Sequence, residues 1–266
     1  MLDPEDTLTR IRARKPLVHH ITNWVTIYDC ALITRAVGAL PVMAHAVEEA
    51  ADMTSIAAAL VLNIGTLTSE LVQSMILSGR AAVDKGLPIV LDAVGAGATP
   101  MRTYKSKEIL DAVRVSILKG NQGEIATLAG ISAEVKGVES ISIQGKIEEI
   151  AIDLAQRRSA TVVVTGAEDI ITDGRRLWAI RNGHELMGQV VGTGCMISSV
   201  IAAFAAVSDD ITRAAAEAVL YYDIAGELCA RRAGGPGSFR HLFFDQIRNT
   251  DPEEIRARQQ VRFHER

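Results

Sequence analysis

Nowhere does this sequence reach the roughly 18 consecutive apolar residues that a membrane-crossing helix needs, although 48% of its residues are hydrophobic. Its N-terminal stretch, MLDPEDTLTRIRARK, is too charged for a secretory signal. The expected compartment is therefore the cytoplasm, with no membrane partner. Cysteine is scarce. Cys30, Cys195 and Cys229 stand far apart, and an odd number cannot all pair, which argues for reduced thiols and against a disulfide framework or a CxxC zinc site. Nor does one charge dominate: a formal net charge of −4 with both signs interspersed offers no footprint for nucleic acid or anionic lipid. A small-molecule ligand is the expected partner. The two common nucleotide signatures are also missing. No GxxxxGK[ST] occurs, and the loop Gly95-Ala96-Gly97-Ala98-Thr99-Pro100 has a proline where GxGxxG needs its third glycine. With no internal repeat, low-complexity linker or charge block, the 266 residues are expected to form one domain, 1–266, with a large core.

What the chain does have is a strand–helix rhythm. Residues 17–22, 39–44, 59–65, 88–94, 115–121 and 160–166 read as strands, several of them continuous apolar runs of the kind buried on both faces. Helical patterns fall between them over 1–15, 24–37, 48–58, 68–86, 106–113, 122–129 and 146–157, and 130–143 is the least regular stretch. The Asp173-Gly174 turn predicts a hairpin, and Asn182-Gly183 offers another turn. Helices are expected again from the Gly192 turn, over 211–232, and in the charged pattern beyond Phe239. The alternation predicts an α/β fold: a mostly parallel central sheet with helices on both faces and an antiparallel edge over 169–190.

Val190-Val191-Gly192-Thr193-Gly194-Cys195, followed by the apolar Met196–Phe204, reads as a strand, a turn and a buried helix start. Free backbone N–H groups and the positive end of a helix dipole suit an anion there, so Gly192, Thr193 and Gly194 are candidates for an anion hole. Cys195, in the first helical turn, is expected to be acidified by that dipole and could serve as base or nucleophile. A small core residue is the alternative. Asp92 ends a buried strand beside the Gly95–Pro100 loop, a position that points to the ligand crevice of an open sheet. Asn121 and Glu124 are spaced for a capping box as well as for a metal site beside a phosphate. His19 and His20, adjacent on a strand, face opposite ways and read as structural.

Together, Gly192–Cys195, Lys119-Gly120-Asn121-Gln122-Gly123-Glu124 and the Asp92 loop resemble the ribokinase-like superfamily of small-molecule kinases. A closer resemblance rests on His20-Ile21-Thr22-Asn23, Pro41-Val42-Met43-Ala44, Leu60–Leu67, Val94–Pro100 and Gly235-Pro236-Gly237-Ser238-Phe239, all in order over residues 16 to 240. These are similar to the hydroxyethylthiazole kinase family of thiamine salvage. That resemblance implies a ribokinase-like three-layer sandwich. It implies transfer of phosphate from ATP, with Mg2+, to the hydroxyl of 5-(2-hydroxyethyl)-4-methylthiazole. It places substrate contacts on Asn23, Met43 and Gly192, ATP contacts on Lys119 and Thr165, magnesium at Asp92 and Glu124, and the catalytic thiol at Cys195. A homotrimer is also implied, with Trp24–Ala31 as the face to inspect. Related sugar kinases resemble this site with an aspartate at the position of Cys195, which fits a base. Ala93, Lys119 and Val191 depart from the family's usual proline, arginine and hydroxyl residue. Hydroxymethylpyrimidine or pyridoxal kinase is the neighbouring alternative, and a nucleotide sensor without turnover is the alternative of another class.

Overall fold

Hydrophobic residues on both faces of a strand require cover on both sides, and the fold supplies it. The protein is described by a computed structural model covering residues 1–131 and 147–265. Most of the stretch expected to be irregular, from 132 onward, lies outside the described residues. Six strands, β1 (Leu17–Ile21), β2 (Leu40–Val42), β3 (Ala59–Asn63), β4 (Ile89–Asp92), β5 (Ile117–Asn121) and β6 (Thr161–Thr165), run parallel in the order β2-β1-β3-β4-β5-β6. Three more, β7 (Asp169–Thr172), β8 (Arg176–Ile180) and β9 (Val261–Glu265), continue the sheet antiparallel.

Alternate residues of each strand feed two cores. Val61, Val90, Ile117 and Val163 face one layer, formed by α1 (Glu5–Arg14), α2 (Ile27–Val37), α9 (Thr193–Ala205), α10 (Ile211–Ala230), α11 (Pro236–Asn249) and α12 (Pro252–Arg258). Leu60, Leu62, Leu91, Val162 and Val164 face the other, formed by α3 (Ala50–Ser55), α4 (Ser69–Asp84), α5 (Pro100–Ala112), α6 (Gln122–Leu128) and α7 (Ile147–Arg158). The short α8 (Glu185–Gln189) lies between the antiparallel edge and α9. Each buried Val, Leu or Ile in these layers contributes about 1.5–3 kcal/mol of transfer free energy, which is why the three-layer arrangement outweighs any local preference.

Three elements depart from expectation. The segment before Gly192 is α8, capped by His184, and not a strand; Gly183 turns the chain into that helix. The antiparallel edge therefore does not extend to 190. It is completed instead by β9, at the end of a tail whose charges read as helical: β8 had one free edge, Phe263 packs on Trp178 at 4.9 Å between ring centroids, and Arg262, His264 and Glu265 face solvent on the outermost strand. Finally, α5 begins at Pro100 and not at 106, because the Thr99 hydroxyl caps it by accepting from the Arg102 N–H and proline suits the first helical position.

Register now sets up the site. Asn63 pairs with Asp92, and Asp92 with Lys119, so three polar residues stand side by side at the carboxyl ends of β3 and β4 and the middle of β5. Each lies two residues beyond an apolar residue that faces α9, and therefore faces α9 as well.

Candidate active site

The first turn of α9 is held open by Gly192, whose φ of +103° belongs to the left-handed region. A Cβ there would also stand 2.8 Å from Thr26 Cγ2. The Thr193 side chain locks the turn from below, its hydroxyl donating to the Met187 carbonyl at 2.7 Å while its own carbonyl accepts from the Tyr222 hydroxyl at 2.8 Å. Its N–H is turned to the Val190 carbonyl at 3.4 Å. Among the described residues the N–H groups of Gly192 and Gly194 have no backbone acceptor, so of the three expected donors these two are left open to the crevice.

Cys195 follows, and is half-buried. Asn23 donates from Nδ2 to its Sγ at 3.4 Å. Beneath it, Lys119 donates from Nζ to Asp92 Oδ1 at 3.0 Å and to the Gly194 carbonyl at 2.7 Å. Asp92 Oδ2 accepts from Asn63 Nδ2 at 2.8 Å and from Ser198 Oγ at 3.0 Å. Ser198 and Cys195 are three apart on α9 and share one helix face, which is how a single helix presents a thiol to the crevice and a hydroxyl to the carboxylate. Burial works against the charge of Lys119, but Asp92 and Glu124 outweigh it and raise its pKa above the ordinary value.

The thiol does not behave as its place in the helix suggested. Burial, and then the Asp92 carboxylate, raise the Cys195 pKa above its ordinary value, while a hydrogen bond from Thr26 and the Lys119 charge pull against them. A dipole effect of roughly 1 kcal/mol at a helix end is smaller than the cost of enclosing a thiolate. The expected acidification is therefore corrected: the resting group is the protonated thiol.

Glu124 makes the capping box that its spacing allowed, accepting from the Asn121 N–H at 2.7 Å while the Asn121 side chain accepts from the Glu124 N–H at 2.9 Å. Its second oxygen accepts from the Gly95 N–H at 2.7 Å and so ties the glycine loop to β5. Burial raises its pKa, against those hydrogen bonds. Among the described residues no three His, Cys, Asp or Glu side chains are grouped as a metal cage. Asp92 and Glu124 each keep unused lone pairs, a donor set that fits the water shell of a magnesium ion arriving with a polyphosphate.

Thr165 ends β6 opposite Asn121. It lines a cleft of about 550 Å³ with Gly166, Asp169, Met187, Thr193, Gly194 and Asp223. Met43 lies one residue past β2, beside the strand that leads to Asn23, and is partly exposed; no hydrogen bond joins it to the cluster. His19 and His20 are buried and committed, His19 to Thr54 and the Ala44 carbonyl, His20 to the Val18 carbonyl and Ser199.

Asn63, Ser198, Asp169 and Asp223 were not singled out from sequence. Asn63 carried the same signal as Asp92, a polar residue closing a buried strand, and Asp223 the signal of a lone acid inside the apolar run of α10. Ser198 had none.

The hydroxyethylthiazole kinase family profile matches residues 8–253. The chain belongs to the hydroxyethylthiazole kinase family. It is 56% identical to a hydroxyethylthiazole kinase of Methanosarcina mazei over 97% of this chain and 98% of that one. With a hydroxyethylthiazole kinase of Thermoanaerobacter pseudethanolicus it shares 52% identity, over 97% and 99%. A solved hydroxyethylthiazole kinase structure from Pyrococcus horikoshii OT3 superposes with a TM-score of 0.90 at 42% identity, covering 98% of both chains. The family is one of kinases, and the sheet with its antiparallel edge is the ribokinase-like architecture. The pyrimidine and pyridoxal readings have less support.

Proposed function

We propose that this protein transfers the γ-phosphoryl group of ATP to the hydroxyl of 5-(2-hydroxyethyl)-4-methylthiazole, in thiamine biosynthesis or salvage, with the whole chain 1–266 acting as one kinase domain. The observation that carries the reading is the thiol of Cys195, held by Asn23 at the mouth of an anion turn that Lys119 backs from below. The acceptor alcohol lies against Asn23, Met43 and Gly192. The nucleotide occupies the cleft at Thr165, its terminal phosphate on the Gly192 and Gly194 N–H groups.

Phosphoryl transfer passes through a loose transition state, so positioning and charge neutralisation dominate and a base of modest strength suffices. Asp92 and Glu124 would hold magnesium, which would supply neutralisation of the polyphosphate. The chain's own groups do the rest. The thiolate fraction of Cys195, which Asn23 and the Lys119 charge favour, takes the hydroxyl proton as the oxygen–phosphorus bond forms and becomes the thiol. The raised thiol pKa gives kcat an alkaline rise: activity climbs as pH approaches and passes the ordinary thiol range.

Among the described residues no helix is long and apolar enough to cross a membrane, and we place the protein in the cytoplasm. We also propose a homotrimer. Trp24, Val25 and Tyr28, at 57%, 67% and 67% exposure, form with Val191 an apolar patch around the acceptor end of the site that a second copy would cover. Light scattering at assay concentration checks this, and a fully active monomer would exclude a shared site.

ADP release measured in parallel with hydroxyethylthiazole, hydroxymethylpyrimidine and pyridoxal tests the function. The thiazole alcohol is expected to turn over fastest. Preference for another alcohol would move the assignment within the superfamily, and ATP binding without turnover would favour a sensor.

A further inference from the structure

Asn63 has no assigned role, yet it is the link between the two ends of the site. It is 1% exposed, and its amide has one possible orientation. Oδ1 accepts from the Gly65 N–H at 2.9 Å and from Asn23 Nδ2 at 3.0 Å, while Nδ2 donates to Asp92 Oδ2 at 2.8 Å. Reversed, the amide would set N–H against N–H twice and an oxygen against a carboxylate. Asn23 is fixed in turn. Its Oδ1 accepts from the N–H groups of Val25 and Thr26, which leaves Nδ2 to donate to Asn63 Oδ1 at 3.0 Å and to face both Thr26 Oγ1 at 2.9 Å and the Cys195 sulfur at 3.4 Å. Gly65 allows this approach, since a Cβ there would stand 2.8 Å from Asn23 Cβ.

An amide N–H aimed at sulfur is a donor without acceptor capacity, and such a bond strengthens when the sulfur is a thiolate. We propose that Asn63 is a positioning residue for phosphoryl transfer: it orients the Asn23 donor onto Cys195 and ties that donor to the Asp92–Lys119 pair beneath the phosphate turn. Asn63 acts through Asn23, and its own amide also favours the charged form of the thiol. The idea rests on the proposed role of Cys195 as base, and its test separates the two.

The test follows the rate of Cys195 alkylation by iodoacetamide against pH, resolved by mass spectrometry from Cys30 and Cys229, which are buried. In Asn63→Ala the midpoint is expected to rise by about one pH unit, as for loss of a hydrogen bond to the charged form. The same variant should lose about tenfold to a hundredfold in kcat with the KM for ATP within about twofold. In an Asn23→Ala background, Asn63→Ala should add less than its full shift. A shifted midpoint with wild-type kcat shows that Asn63 orients the donor on Cys195, and overturns both its role in phosphoryl transfer and Cys195 as base. An unshifted midpoint in a folded Asn63→Ala protein, or a full second shift in the Asn23→Ala background, overturns the proposal. Asn63→Ser, whose hydroxyl is too short to reach Asn23, carries the same two outcomes should the alanine variant not fold.

Discussion

Two buried acid centres flank the first turn of α9, and they solve the problem of burial in opposite ways. Asp92 meets a cation and two neutral donors, Lys119, Asn63 and Ser198. Asp169 and Asp223, across the same turn, meet each other. Asp169 Oδ1 accepts from the Gly166 N–H at 2.8 Å, but Asp223 Oδ2 has no hydrogen-bond partner among the described residues. Burial raises the pKa of both, that of Asp223 further through the neighbouring Asp169 charge, so the pair favours a shared proton where Asp92 has a lysine. The difference follows from register. Parallel pairing sets Asp92 beside Lys119 on neighbouring strands, whereas Asp223 comes from a helix and reaches Asp169 with no cation in register. The functional consequence is one of charge: a cleft with two ionised carboxylates would repel a polyphosphate, and a proton shared between them lessens that repulsion.

The largest stability effect should come from making the first centre resemble the second. Lys119→Met leaves Asp92 buried without its cation and should cost about 3–5 kcal/mol. Thermal melting should show the loss, and ATP turnover should fall with it. At the turn between the centres, Gly192→Ala forces a left-handed φ on a residue with a Cβ and pushes on Thr26, costing roughly 1–3 kcal/mol. Both the melting temperature and kcat should drop, since Thr26 belongs to the turn that holds Asn23.

Asp223→Asn should give the smallest change, and of opposite sign. A carboxyl with a raised folded pKa contributes stability that is fully present below the ordinary carboxylate range and is lost as pH rises through the folded value. Replacing it removes that loss. The variant should therefore gain on the wild type as pH increases from about 5 to 9, by roughly 1 kcal/mol at the alkaline end, read from paired melting curves. A gap that narrows with pH would mean that the pair is not protonated, and the contrast between the centres would fail.

The parallel half of the fold was legible because its strands are continuous apolar runs, and a run such as Ala59–Asn63 has little choice but a doubly covered sheet. The antiparallel edge was only half legible. Its hairpin announces itself through Asp173-Gly174, but β9 exists because β8 had a free edge, a fact located more than 80 residues away in the chain. Val190-Val191 misled because β-branched residues also suit the extended exit from a short helix. In the site, Gly192, Cys195, Lys119 and Asp92 were visible as strand and helix ends. What escaped was lateral: Asn63, Ser198 and Asp223 matter through neighbours that only the register and the helix packing bring within reach. The thiol's pKa escaped for the same reason, since the depth of burial is a property of all three layers.

The measurement that tests the central claim most directly is kcat for Cys195→Ala and Cys195→Asp beside the wild type. Removing the base should lower kcat by roughly 10²–10⁴ with little change in the KM for ATP. Cys195→Asp should keep substantial activity and lose the alkaline rise, because a carboxylate in that position accepts the same proton at lower pH. If Cys195→Ala turns over at the wild-type rate with its fold intact, the thiol is a packing residue and the proton leaves by another path.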